Sequence, residues 1–314
     1  MRMSDRSTCN LAHLTPLELF HLSAFRFFAL PALLVIITRM KSGADWISLA
    51  SWLALLVCVV TSLMLTPTPL PTQTPTPTAP PTLTPEPVDT GWLPVTLGME
   101  RRHVTVSADL GNERVTMIRL DPTQFTLRVR VTPGEADTVQ AWSTATDALL
   151  TFNAGYFDED NQPLGLHIAD RERYGSAYGD FAGMFAVTAD QETSVRWLRD
   201  SPYDPQEALT QAVQSFPMLV KPGGIMGFPA DADEGHVSRR TIIAQDTAGR
   251  LLILVAPRGY FSLHELAQWL VASNLEIDAA LNLDGGKSSG LWLAETPVAQ
   301  IDSLVSVPAV ITID

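Results

Sequence analysis

Across residues 66–87, nine prolines and eight threonines make up 17 of the 22 positions. Proline has no N–H to give to a helix or a sheet ladder, and neither residue brings much apolar surface to bury. The segment therefore takes an extended polyproline II form and cannot run through a packed core. It divides the 314-residue chain into parts that must be read separately. Fully extended at ~3.1 Å per residue, it would span roughly 60–70 Å as a stalk, with threonines open to O-glycosylation.

On its N-terminal side, residues 46–65 form an uncharged run of 20, the length needed to cross a bilayer core of ~30 Å. Trp46 and Trp52 lie toward one end, as interfacial aromatics do. Arg39 and Lys41 precede the run, and no charge follows it until Glu86, which places the C-terminal part outside the membrane. No small-residue cleavage site closes the apolar run, and the residues before Cys58 do not suit a lipoprotein. Residues 1–45 are read as cytoplasmic or as holding a first hydrophobic segment, since 20–38 is apolar apart from His21, Arg26 and Pro31. A start at Met40 would leave a single signal anchor. Both arrangements put residues 88–314 in the extracytoplasmic space, attached to a cell membrane.

Those remaining residues carry 16 basic and 30 acidic side chains, a charge of −14, slightly more than the −13 of the whole chain. Nucleic acid is excluded as a main partner, because phosphate backbones require a cationic surface. Cys9 and Cys58 both lie upstream, so this part has no disulfide and must rely on its core, which its length can supply. Alternating β-rich segments at 104–108, 114–120, 125–131, 149–153, 183–188, 194–198, 240–245 and 250–256 predict a strand-rich domain. One helix is well signalled: Ser262 and Glu265 form a capping box, and Leu263, Leu266, Ala267, Leu270 and Val271 share one face. Asn274 suits its left-handed C-terminal position. A shorter helix is expected over 138–146, and a buried strand over 279–283. The expected fold class is α+β, a single catalytic-type domain with few helices.

Three constellations carry chemistry. Asn282-Leu283-Asp284-Gly285-Gly286-Lys287-Ser288 ends the buried strand with a carboxylate, two glycines free to take positive φ, and a hydroxyl. It can present an acid and free N–H groups to a sugar or an anion, or it can be a tight hairpin into 291–294 with Asp284 capping the turn. It is not a P-loop, whose first glycine would fall at Leu281. Asn153-Ala154-Gly155-Tyr156-Phe157-Asp158 offers an amide for sugar hydroxyls and a ring for the pyranose face, or else an aromatic core cluster with a capping Asn. Ser238-Arg239-Arg240-Thr241 opens a strand with a pair of guanidiniums, either a phosphate clamp or a surface ion pair. The histidines show no ligand spacing, so no metal and no cofactor is expected. No Gly-x-Ser-x-Gly elbow supports a serine hydrolase.

In their order and form these segments resemble the phosphodiester glycosidase domain family. Residues 153–157 with Pro163 and Gly165, Arg240-Thr241 followed by a hairpin, the capped helix, and 281–288 look like that family's successive motifs. Ala154 and Lys287 depart from it, each replacing a glycine. The resemblance implies hydrolysis of the glycosidic C–O bond of a sugar 1-phosphodiester. It assigns Arg240 to the phosphate and Asp284 to the anomeric centre or the attacking water. Asn153 would hold a sugar hydroxyl, Gly285, Gly286 and Ser288 would surround the phosphate, and Tyr156, Thr241, Lys287 and Asp158 would complete the substrate site. Asp158 or Asp180 could serve as a partner carboxylate. The implied substrates are cell-envelope or extracellular glycans. The rival reading is a non-catalytic glycan-binding module that keeps the same fold.

Overall fold

The computed structural model describes residues 88–294, 296 and 299–314. The expected span, the upstream apolar stretch and the Pro/Thr-rich stalk lie outside these residues. Among the described residues no helix is long and apolar enough to cross a membrane.

Three antiparallel sheets carry the domain, an α+β arrangement dominated by strands. The largest has eight strands in the order β1 (Leu93–Thr96), β2 (Met99–Ala108), β3 (Gly111–Leu120), β14 (Leu251–Phe261), β13 (Ser238–Asp246), β15 (Ile277–Asn282), β11 (Met218–Lys221) and β12 (Ile225–Met226). A five-stranded sheet runs β7 (Glu172–Tyr174), β6 (His167–Ala169), β10 (Leu209–Ser215), β8 (Gly183–Thr188) and β9 (Thr193–Trp197). The other five-stranded sheet runs β17 (Gln300–Ile301), β16 (Leu291–Leu293), β5 (Leu150–Asn153), β18 (Ala309–Ile313) and β4 (Leu127–Val131). Two helices among the described residues flank them, α1 (Val139–Thr146) and α2 (Leu263–Ala272).

Side-chain alternation decides how the sheets stack. In β13, Ile243 points to one face while Ile242 and Ala244 point to the other; β14 splits Ile253 and Val255 from Leu252 and Leu254 in the same way. One face meets Phe152 and Ile311 from the β5 sheet and Phe185 and Val213 from the β10 sheet, a core shared by all three sheets. The other face is covered by Leu266, Ala267 and Leu270 of α2. The central strands are thus buried on both sides, which explains their almost unbroken apolar runs.

The expected capping box of α2 is present, with Ser262 and Glu265 satisfying each other's backbone N–H, and Thr138 caps α1. The end of α2 differs from expectation. Ser273 is already extended, and Asn274 is not left-handed; it accepts a hydrogen bond from Arg102 at 3.1 Å, and the positive φ falls on Glu276. The hairpin reading of 282–294 also fails. After Asp284 the chain makes a single 3-10 turn (Gly286–Ser288), and β16 then pairs with β5 and β17 instead of with β15. This change of sheet sets the Asp284 segment at a junction between two sheets.

Candidate active site

Two strand ends meet at that junction. β5 ends at Asn153 and β15 at Asn282, and each asparagine uses its amide to hold backbone from another element. The Asn153 amide group donates to the Asp284 carbonyl at 2.8 Å, while its oxygen accepts from the Thr241 hydroxyl at 2.8 Å and from the Gly290 N–H at 3.0 Å. Asn282 donates to the Phe216 carbonyl at 3.1 Å and to the Tyr156 hydroxyl at 3.0 Å. Tyr156 in turn donates to the Phe216 carbonyl at 2.9 Å. The Asp284 N–H is held by the Ala154 carbonyl at 3.1 Å. Asn153, Thr241 and Asn282 are all buried, so these bonds form in a low dielectric and fix the loop positions closely.

The two glycines after Asp284 do different work. Gly286 has φ of 61°, where a side chain would be strained. Gly285 has an ordinary negative φ but lies so close to β13 that a Cβ would meet the Arg239 carbonyl at 2.9 Å. The expectation of positive φ at both holds for Gly286 only.

The arginine pair divides as the period of two demands. Arg239 donates to the Ser289 and Asp302 carbonyls at 2.7 and 3.0 Å, pinning the loop that follows the 3-10 turn. Arg240 turns toward Gly285 and Tyr156, and donates to the His236 carbonyl at 2.7 Å. Among the described residues no carboxylate lies within ion-pair distance of Arg240. Burial pulls its pKa down from the usual arginine value, and the nearby Tyr156 and Asp233 pull it back up.

Asp284, just before Gly285 in the chain, is partly buried. Burial raises its carboxyl to a pKa of about 6, against the opposing pull of the Ser288 hydroxyl and the Gly285 N–H. Tyr156 lies within reach of both charges: burial and Asp284 raise its pKa, and Arg240 lowers it. Tyr178 is raised by burial and by Asp284. The junction thus brings together an acid with a pKa of about 6, a buried arginine and two phenols, a perturbed cluster of the kind found at catalytic sites.

A family model described as phosphodiester glycosidase matches residues 146–313, more than half of the chain and all of these elements. The chain belongs to the phosphodiester glycosidase family. Among solved structures, the domain is similar to the catalytic domain of zebrafish N-acetylglucosamine-1-phosphodiester alpha-N-acetylglucosaminidase auto-inhibited by pro-peptide. That match has 18% identity and a TM-score of 0.54, and covers 73% of this chain and 84% of that one. A hypothetical protein from Synechocystis matches at 17% identity and a TM-score of 0.49, over 69% of this chain and 62% of that one. No curated protein sequence matches.

The remaining sequence-derived candidates of this phosphodiester glycosidase domain are placed as follows. Ser288 is buried beneath Asp284, and Lys287 is exposed, with its carbonyl bound by the Leu304 N–H at 2.7 Å. Asp158 is spent on its own loop, accepting from the N–H groups of Asp160 at 3.0 Å and Gln162 at 2.8 Å. Asp180 pairs with Arg199 at 3.3 Å. Sequence reasoning missed Tyr178 and Phe216, which reach the cleft from loops with no recognisable spacing. A groove of about 910 Å³ opens at the far end of β13, around Asp121, Glu192 and Arg250, and is lined by none of Asn153, Arg240 and Asp284.

Proposed function

We propose that the chain is a membrane-anchored extracytoplasmic hydrolase that cleaves the glycosidic C–O bond of sugar 1-phosphodiesters in cell-envelope or extracellular glycans. The observation that carries this reading is the buried Arg240, without a carboxylate in ion-pair distance among the described residues and turned toward Gly285, the residue after Asp284, on a domain of the phosphodiester glycosidase family. Arg240 binds the phosphate and offsets the charge that gathers on it. Asp284, ionised above pH ~6, takes a proton from the attacking water and faces the positive charge that develops at the anomeric carbon. The water oxygen bonds to that carbon as the C–O bond breaks, and the electron pair leaves on the phosphate oxygen. A phosphate monoester is a good enough leaving group to need no strong acid, in keeping with Asp158 and Asp180 both being engaged elsewhere. Asn153 and Thr241 act by holding the Asp284 loop; their polar atoms are bonded to the protein itself.

Incubating the full-length protein with a panel of sugar 1-phosphodiesters should release reducing sugar from at least one of them. Arg240→Gln should lower kcat/KM by about 10²–10³-fold. It should do so without lowering Tm, because no partner carboxylate is orphaned. Release that is undiminished in R240Q would remove this residue from phosphate binding. The anchoring rests on residues 46–65, and protease treatment of intact cells should then release the domain; a domain protected until lysis would contradict the orientation.

A further inference from the structure

Beyond Tyr156 lies a cluster of mutually inclined rings. Tyr156 and Phe216 have centroids 4.8 Å apart, Tyr178 and Phe216 5.4 Å, Phe181 and Phe216 5.6 Å, and Tyr178 and Phe181 5.8 Å. The two outer rings come from the segment between β7 and β8, and buried groups hold that segment in place. The Tyr178 N–H donates to the side-chain oxygen of Gln214 at 2.6 Å, and Gln214 is fully buried. Gly165 lies directly under the Tyr178 ring, where a Cβ would come within 2.3 Å of it. The shelf is therefore rigid, and yet its far member, Phe181, is 53% exposed.

The geometry points to this aromatic corner as the subsite for the sugar ring: Phe181, the exposed ring, takes the apolar face of the glycone, backed by Tyr178 and Phe216 inclined to it at 48° and 67°, while the phosphate lies at Arg240. The inference rests on the glycosyl phosphodiester reading and names the part of the substrate that each side of Asp284 receives. Charge supports the polarity. Arg240 lies on the Tyr156 and Gly285 side, whereas on the loop bearing Tyr178 and Phe181 the Asp180 carboxylate is paired with Arg199, so that side carries no net charge to hold a phosphate. Tyr178 lies within range of the Asp284 charge, so a ring resting on the shelf would bring its anomeric carbon toward that carboxylate. A pyranose offers such a shelf an apolar C–H face, with its hydroxyls directed to the edges, a match for a site lined by aromatic rings with few polar groups.

The test compares wild type, Phe181→Ala and Phe181→Trp in the full-length protein. Phe181 is largely exposed, so neither change should unfold the domain. Phe181→Ala is expected to raise KM for the glycosyl phosphodiester about ten-fold, with kcat held within about two-fold. Inhibition by methyl hexopyranosides should weaken in parallel, inhibition by inorganic phosphate should stay unchanged, and Phe181→Trp should restore KM. An unchanged KM, an equal loss of phosphate inhibition, or a KM effect that follows the alcohol side of the diester instead of the sugar would overturn the proposal. If wild type cleaves no phosphodiester, the catalytic reading fails by itself. Calorimetric binding of methyl hexopyranosides that is lost in Phe181→Ala would then still support the subsite, and binding that is absent or indifferent to Phe181 would sink it.

Discussion

Asp284→Asn is expected to abolish hydrolysis and, at neutral pH, to stabilise the fold by about 2 kcal/mol. Both effects have one cause. Burial lifts the carboxyl from its ordinary 3.8 to about 6, so its ionised form is held in the folded state against a cost. A tenfold change in a proton-binding constant corresponds to about 1.4 kcal/mol, and partial solvent access reduces the total. The folded state binds the Asp284 proton more tightly than the unfolded state does. The wild type should therefore lose stability relative to Asp284→Asn as pH rises from about 4 to about 6, with a constant gap above that and none below. His167, buried and held down to about 4, destabilises both proteins alike as acid is added and cancels in the comparison. Thermal melts of the two proteins from pH 3.5 to 8 read this directly. A variant less stable than wild type at pH 7 would mean that the Asp284 charge is compensated. The same ionisation gives wild-type turnover an acid limb near pH 6.

Asn153→Ala should behave in the opposite way and damage the fold. The change leaves the Thr241 hydroxyl, the Gly290 N–H and the Asp284 carbonyl without their partner, all at a buried junction. The expected loss is about 3–4 kcal/mol, or roughly 10 °C in Tm, with turnover falling because the Asp284 loop is released. A group that served only to bind sugar would show another signature, a lower kcat/KM with an unchanged Tm. Differential scanning calorimetry beside a rate measurement separates the two.

Much of this site was legible in the chain because its parts are local. The strand ending in Asn282, Asp284 with its glycines, the capped helix after Ser262 and the arginine pair each follow from residue type and spacing. Bringing Asn153, Arg240 and Asp284 to one place was likewise implied by the resemblance of the motifs. What the chain alone could not give was the direction of the Asn153 amide, which depends on Thr241, 88 residues away, and on Gly290, 137 residues away. The separate duties of Arg239 and Arg240 could have been read from strand alternation alone. Tyr178 and Phe216 had no such signal, since a loop aromatic is defined by the sheet it leans on. The alternative hairpin after Asp284 fails because both edges of β15 are already paired, with β13 and β11, so β16 pairs with β5 instead.

The central claim is that this domain breaks a carbon–oxygen bond at the anomeric centre and leaves the phosphorus untouched. Hydrolysis of a sugar 1-phosphodiester by the full-length protein in ¹⁸O-labelled water, read by mass spectrometry, tests it most directly. The expected result is label in the hydroxyl on the anomeric carbon of the released sugar and an unlabelled phosphate monoester. Label found in the phosphate would show attack at phosphorus and overturn the delivery of water to the anomeric carbon by Asp284 on which the proposed reaction depends.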